Sequence, residues 1–88
     1  MFTVYALYSQ SFDKIYIGFT SDLSTRMLSH NFFATKGFTI KFRPWVLVYS
    51  EDYHSKSEAM KREKELKSAA GRAFIRTLVK EKFGSSGG

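Results

Sequence analysis

Phe2-Thr3-Val4-Tyr5-Ala6-Leu7-Tyr8 and Lys14-Ile15-Tyr16-Ile17-Gly18-Phe19 decide the fold. Both runs are rich in β-branched and aromatic residues, which suit a pleated, half-buried surface. Ser9-Gln10-Ser11-Phe12-Asp13 between them is turn-like, so the pair reads as a hairpin with a loop of about four or five residues. Gly18, near the end of the second strand, marks a place where a side chain would obstruct a neighbouring backbone or a ligand. Tyr5 and Tyr16 fall on adjacent strands, where aromatic cross-strand pairing is their ordinary role.

Outward from the hairpin, Ser21 or Asp22 can cap a helix. Leu23, Met27 and Leu28 give that helix a modest apolar face through about His30. Phe38, Ile40 and Phe42 alternate with polar residues, which suits a short strand or a loop pinned by aromatics, and Pro44 disfavours helix before it. Trp45-Val46-Leu47-Val48-Tyr49 is the most apolar strand and is expected at the centre of the sheet. Ser55 and Glu58 form a capping-box pair, opening a helix to about Ala69. Gly71 is expected to break it, with a further helix from Arg72 to about Lys80. The fold class is α+β, sandwich-like, with a small three-stranded, mostly antiparallel sheet flanked by helices in the order β-β-α-β-α-α. Residues 1–82 form one domain and residues 83–88 a flexible Gly/Ser tail.

Eighty-eight residues allow one domain, and 43% apolar residues suffice for one small core. The absence of cysteine removes disulfides, thiol nucleophiles and thiolate metal sites. Stability must come from packing, to which nine phenylalanines contribute. Fourteen Lys and Arg against eight Asp and Glu give a net charge of +6, an electrostatic preference for polyanions. No apolar run approaches the roughly 20 residues of a membrane span. The N-terminus lacks the pattern of a signal peptide. No membrane partner is expected, and the protein reads as cytoplasmic.

Ala59, Glu63, Leu66 and Ala70 follow the helical stripe that should face the core. Glu63 is then a carboxylate on a small-apolar face and needs a partner, since an unpaired buried charge is costly. A basic side chain such as Arg26, a tyrosine hydroxyl or a metal ion would each serve. Arg26 and His30 are four apart and share one side of their helix.

Thr3-Val4-Tyr5, Tyr16-Ile17-Gly18, Arg26, His30-Asn31, Phe42-Arg43-Pro44-Trp45, and the run Ser57–Lys67 holding Glu63 occur in order over residues 2–80. Together they resemble the GIY-YIG nuclease domain, in particular its small stand-alone branch. That branch is related to the N-terminal nuclease domain of the bacterial excinuclease C subunit and to homing endonuclease catalytic domains. The first motif keeps its tyrosine but reads Thr3-Val4-Tyr5. Phe32-Phe33 stands where relatives often carry small residues, and no asparagine follows Asn31.

The resemblance implies a metal-dependent endonuclease hydrolysing phosphodiester bonds in DNA, with a setting such as DNA repair or recombination. It implies Tyr5, Tyr16, Arg26, His30 and Glu63 as catalytic residues and Gly18 as a structural motif glycine. Tyr5 would accept the proton of the attacking water, Arg26 would brace the phosphate, and His30 and Tyr16 would orient water or phosphate. Glu63 would hold one Mg²⁺ or Mn²⁺, an ion that commonly keeps several waters. Lys36, Lys41, Arg43, Lys61, Lys64, Lys67, Arg72 and Arg76 would supply phosphate contacts that position nucleic acid without reading sequence. So small a core leaves little room for sequence recognition, which a protein partner would have to supply. The alternative is a nucleic-acid-binding module of the same fold with weak or no catalysis, and a third reading is a protein-binding domain.

Overall fold

The structure, a computed structural model, describes residues 1–35 and 37–84. The hairpin forms from β1 (Phe2–Ser9) and β2 (Lys14–Thr20), paired antiparallel with Tyr5 opposite Gly18 and Leu7 opposite Tyr16. Asp13 closes the loop at φ 54°, a left-handed turn position that Asp tolerates. β3 (Val46–Tyr53) pairs antiparallel with the other side of β1, with a register shift between Ala6 and Leu7.

The strand order is therefore β2-β1-β3, and β1, not the Trp45–Tyr49 run, is central. The apolar content of a run does not tell how many hydrogen-bonded neighbours it has, because topology sets that number. Val46 and Leu47 remain exposed on the edge strand, while Val4 to Ser9 of β1 are all buried.

Burial on both faces of β1 follows from two helical layers. Val4, Ala6 and Tyr8, with Ile15 and Ile17 of β2, pack against Ala59 and Leu66 of α2 (Lys56–Lys67) and Ile75 and Val79 of α3 (Ala69–Phe83). Tyr5 and Leu7 point the other way, to Trp45, Tyr16 and Phe42 and to Leu23 and Met27 of α1 (Leu23–Leu28). Asp22 rather than Ser21 caps α1, accepting from the Thr25 N–H at 3.1 Å. The helix then loosens into a π-helical turn over Ser29–Phe33, which carries His30. Phe38–Phe42 is a 3₁₀ helix, neither the strand nor the loop its alternation suggested. The rings of Phe38 and Phe42 lie 4.8 Å apart between centroids, and both pack beside Trp45, Phe38 tilted and Phe42 edge-on.

The Ser55 cap forms as expected, its Oγ accepting from the Glu58 N–H at 3.2 Å. Glu58 Oε1 returns by accepting from the Ser55 hydroxyl at 2.9 Å rather than from the backbone N–H of a full capping box. The end of α2 differs from expectation. Ser68 terminates it and caps α3, accepting from the Gly71 N–H at 3.2 Å. Gly71 lies inside the first turn of α3, where a Cβ would stand 2.3 Å from the Glu65 carbonyl oxygen and 2.4 Å from Leu66 Cα. It is a close-approach glycine, not a helix breaker. Ala70, displaced by this corner, is exposed rather than facing the core. α3 continues to Phe83, whose ring lies 5.2 Å from that of Tyr8. The Gly/Ser tail beyond residue 84 lies outside the described residues.

Candidate active site

The odd-numbered face of β1 builds the site. Tyr5, 1% exposed, places its hydroxyl 2.9 Å from His30 Nε2. Its ring packs 6.3 Å from Tyr16, which in turn lies 4.9 Å from His30. This packing is possible because Gly18 has no side chain: a Cβ there would come within 2.9 Å of Tyr5 Oη and 3.2 Å of Tyr16 Cε2. The obstruction that Gly18 avoids is thus the Tyr5 phenol. Tyr16, Arg26 and His30 line a common pocket of about 210 Å³ with Thr39 and Phe38.

Burial pushes the Tyr5 phenol up to about 12. The Arg26 guanidinium pulls the other way, while Tyr16 and Glu63 add to the rise. Burial also lowers the affinity of His30 for a proton, and the positive charges of Arg26 and Arg43 lower it further. A neutral phenol thus meets a neutral imidazole.

Glu63 stands apart from this group on α2, with its side chain 18% exposed and Lys67 Nζ 3.4 Å from Oε2. Its partner is that lysine, not Arg26 or a tyrosine, yet its charge is felt at Tyr5. Among the described residues no three His, Cys, Asp or Glu side chains form a metal-binding cluster. A single half-buried carboxylate, countered by one flexible ammonium, fits an ion that retains most of its water and takes phosphate oxygens, and does not fit a fully dehydrated cation.

The basic residues separate into groups. Lys67, Arg72 and Arg76 line a cleft of about 500 Å³ along the free edge of β2, together with Lys14, Tyr16 and Phe38. Tyr16 and Phe38 border the pocket of Arg26 and His30 as well, so the two are neighbours. Arg76 is braced by Asp13 at 2.5 Å. Lys61 and Lys64 flank a separate shallow hollow on the outer face of α2, and Lys41 is exposed on the 3₁₀ helix. Lys36 lies outside the described residues.

Arg43 turns inward. Its guanidinium donates to the carbonyls of His30 at 2.6 Å, Ala34 at 2.8 Å and Ser29 at 3.1 Å. Those bonds satisfy the open end of the π-helical turn and occupy the group expected to contact phosphate. Asn31 completes the clamp: its Oδ1 accepts from the Trp45 N–H at 2.6 Å and its Nδ2 donates to the Trp45 carbonyl at 3.0 Å. Lys14 and Thr39 escaped the sequence reading, since a strand-end lysine and a threonine among phenylalanines carry no local signal.

A second polar cluster belongs to the scaffold. The hydroxyls of Tyr49 and Tyr53 donate to Glu51, which Arg62 also grips through Nε at 3.0 Å. Burial opposes the Glu51 charge, but the two phenols and Arg62 prevail and hold its carboxyl below the usual range.

Comparison with known proteins places this geometry in context. Residues 1–76 match the GIY-YIG catalytic domain. The UPF0213 protein of Staphylococcus haemolyticus is 47% identical over 58 residues, covering 64% of this chain and 68% of that protein. The UPF0213 protein of Staphylococcus aureus strain Mu3 is 40% identical over 69 residues, covering 78% and 83%. No solved structure matches the chain.

Proposed function

The chain belongs to the GIY-YIG catalytic domain family, a nuclease-type family, and from that premise we propose a small metal-dependent endonuclease that hydrolyses phosphodiester bonds in DNA. The observation that carries the reading is the buried hydrogen bond between Tyr5 and His30 beside a pocket that Arg26 and Tyr16 line.

Hydrolysis requires a base for water, positive charge at the phosphate and stabilisation of the leaving oxygen. Tyr5 is a poor reservoir of phenolate, since a phenol at about 12 is ionised to about 10⁻⁵ at neutral pH. The His30 contact removes the need for a standing phenolate. As the Tyr5 oxygen takes a proton from water, its own proton passes to His30 Nε2, and the imidazolium later returns it to solvent. The freed hydroxide oxygen forms the new bond to phosphorus as the bond to the leaving oxygen breaks, and that oxygen is protonated from solvent. Arg26, exposed at the pocket mouth, braces non-bridging phosphate oxygens with its planar fork. Tyr16, facing both pocket and cleft, orients the phosphate. Mg²⁺ or Mn²⁺ held by Glu63 would supply positive charge at the phosphate and leaving oxygen.

Lys14, Lys67, Arg72 and Arg76 give the nucleic acid a path along β2 that is independent of sequence. Specificity beyond that path would come from a protein partner. No helix among the described residues is long and apolar enough to cross a membrane, and a cytoplasmic site of action fits the proposal.

The test is nicking of supercoiled plasmid with Mg²⁺ or Mn²⁺ against EDTA, for the wild type, Glu63→Gln and Tyr5→Phe. Metal-dependent nicking by the wild type, lost in both variants with folding retained, is expected. Retained nicking in either variant, with contamination excluded, removes that residue from its role. Salt-sensitive DNA retardation without nicking by the wild type would replace the nuclease with a binding module.

A further inference from the structure

Tyr5, His30 and Thr39 form a buried chain, at 1%, 5% and 6% exposure. Beyond the Tyr5 contact, His30 Nδ1 lies 3.0 Å from Thr39 Oγ1. Heavy-atom distances alone permit two proton arrangements along such a chain, but the surrounding groups select one. The Tyr5 phenol is a much stronger acid than the aliphatic alcohol of Thr39, so of the two hydroxyls flanking the ring it is the stronger donor and Thr39 the stronger acceptor. The phenol therefore sends its proton to the acceptor within hydrogen-bond distance, His30 Nε2 at 2.9 Å. A neutral imidazole that accepts at Nε2 carries its proton on Nδ1. That proton then points at Thr39 Oγ1.

We infer that Thr39 is a positioning residue, whose hydroxyl accepts from His30 Nδ1–H and holds the ring in the tautomer that leaves Nε2 open to the Tyr5 phenol. Thr39 is itself fixed, for its carbonyl accepts from the Trp45 indole N–H at 2.8 Å. The turn that carries His30 is fixed independently by the three Arg43 bonds. Donor and acceptor are therefore held from opposite sides, and ring rotation would leave buried polar atoms unpaired. A hydrogen bond to the far nitrogen sets which imidazole nitrogen is available for chemistry, and Thr39 occupies the far position here. The assignment of the tautomer rests on the chain's own contacts. Its effect on turnover rests on the nuclease reading above.

The test combines nitrogen NMR of the ring-labelled protein with nicking kinetics for the wild type, Thr39→Ser and Thr39→Val. The wild-type and Thr39→Ser proteins should show a protonated Nδ1 and an unprotonated Nε2 at His30. Thr39→Val, which keeps the shape and removes the hydroxyl, should lose that pattern. Its kcat should fall by about 10²-fold, the scale expected of a misplaced catalytic group, with KM little changed and Thr39→Ser restoring the rate. A wild-type His30 protonated on Nε2 would overturn the inference without recourse to any variant. An unchanged His30 signal in folded Thr39→Val would overturn it equally. A wild type that shows the expected tautomer but never nicks DNA would defeat the nuclease reading and uphold the Thr39 contact.

Discussion

Gly18 and Tyr5 face each other across the β1–β2 ladder, and the room for the Tyr5 phenol is the room a side chain at position 18 would fill. Gly18→Ala puts a methyl group 2.9 Å from Tyr5 Oη and 3.1 Å from Cζ, so the ring must move. Since Tyr5 is bonded to His30, that movement reaches the imidazole. Nicking should fall by about 10²-fold, with a stability loss of about 1–3 kcal/mol from overpacking. Plasmid nicking and urea unfolding on the same preparation check both, and an alanine variant of wild-type rate would show that the rings yield freely.

Lys67 has two roles that conflict: it neutralises Glu63 at 3.4 Å and it lines the cleft beside β2. A divalent ion at Glu63 competes with that ammonium. Lys67→Met should therefore lower the Mg²⁺ concentration needed for half-maximal nicking by several-fold, while weakening DNA retention at moderate salt. Metal titrations at fixed DNA separate the two effects. An unchanged metal requirement would place the ion away from Glu63.

His30 imposes a pH dependence on stability. In the unfolded chain it titrates at its ordinary value of 6.5, whereas burial first, then Arg26 and Arg43, lower that value in the fold. Between the two values the unfolded state binds more protons, so stability rises with pH through the window and falls as pH drops below about 6.5. Urea midpoints from about pH 7 down to about pH 5 should decline more steeply in the wild type than in His30→Gln. Equal slopes would show that the fold does not resist protonation of this ring. Loss of the depressed carboxylates Asp13 and Glu51 belongs to a lower range, below the ordinary carboxyl values.

Gly71→Ala tests the corner between α2 and α3. The added Cβ meets backbone, the Glu65 carbonyl and Leu66 Cα, and backbone cannot rotate away as a side chain can. The variant gains helix propensity of about 1 kcal/mol, yet should lose at least about 1–3 kcal/mol net because the helices must separate. A thermal melt suffices, and a variant as stable as the wild type would mean that the corner opens without cost.

The hairpin and the Ser55–Glu58 box were legible because each is written in neighbouring residues: β-branched runs around a turn, and a hydroxyl three residues before a carboxylate. The place of β3 was not, since nothing within Trp45–Tyr49 tells how many strands lie beside it. Gly71 misled for a related reason. Glycine serves close approach as well as termination, and the backbone it approaches belongs to the preceding helix. In the candidate site, the ordered tyrosines, Arg26 and His30 could be named from their motifs, and the fold gathers them around one pocket. The inward turn of Arg43 depends on carbonyls 9 to 14 residues away. Thr39 depends on a histidine nine residues before it. Contacts of that range, made by irregular helical turns, leave no periodic trace.

The alternation along β1 also determines how freely this protein can change. Even positions hold Val4, Ala6 and Tyr8 against α2 and α3, while odd positions hold Tyr5 and Leu7 on the side of the pocket. Substitutions at even positions can therefore be exchanged for one another by size and shape while the chemistry stays in place. An inserted or deleted residue inside the strand has no such latitude, because it would trade the two faces at once and send the phenol into the helices. The central strand thus tolerates drift in its letters and forbids a change of one in its count.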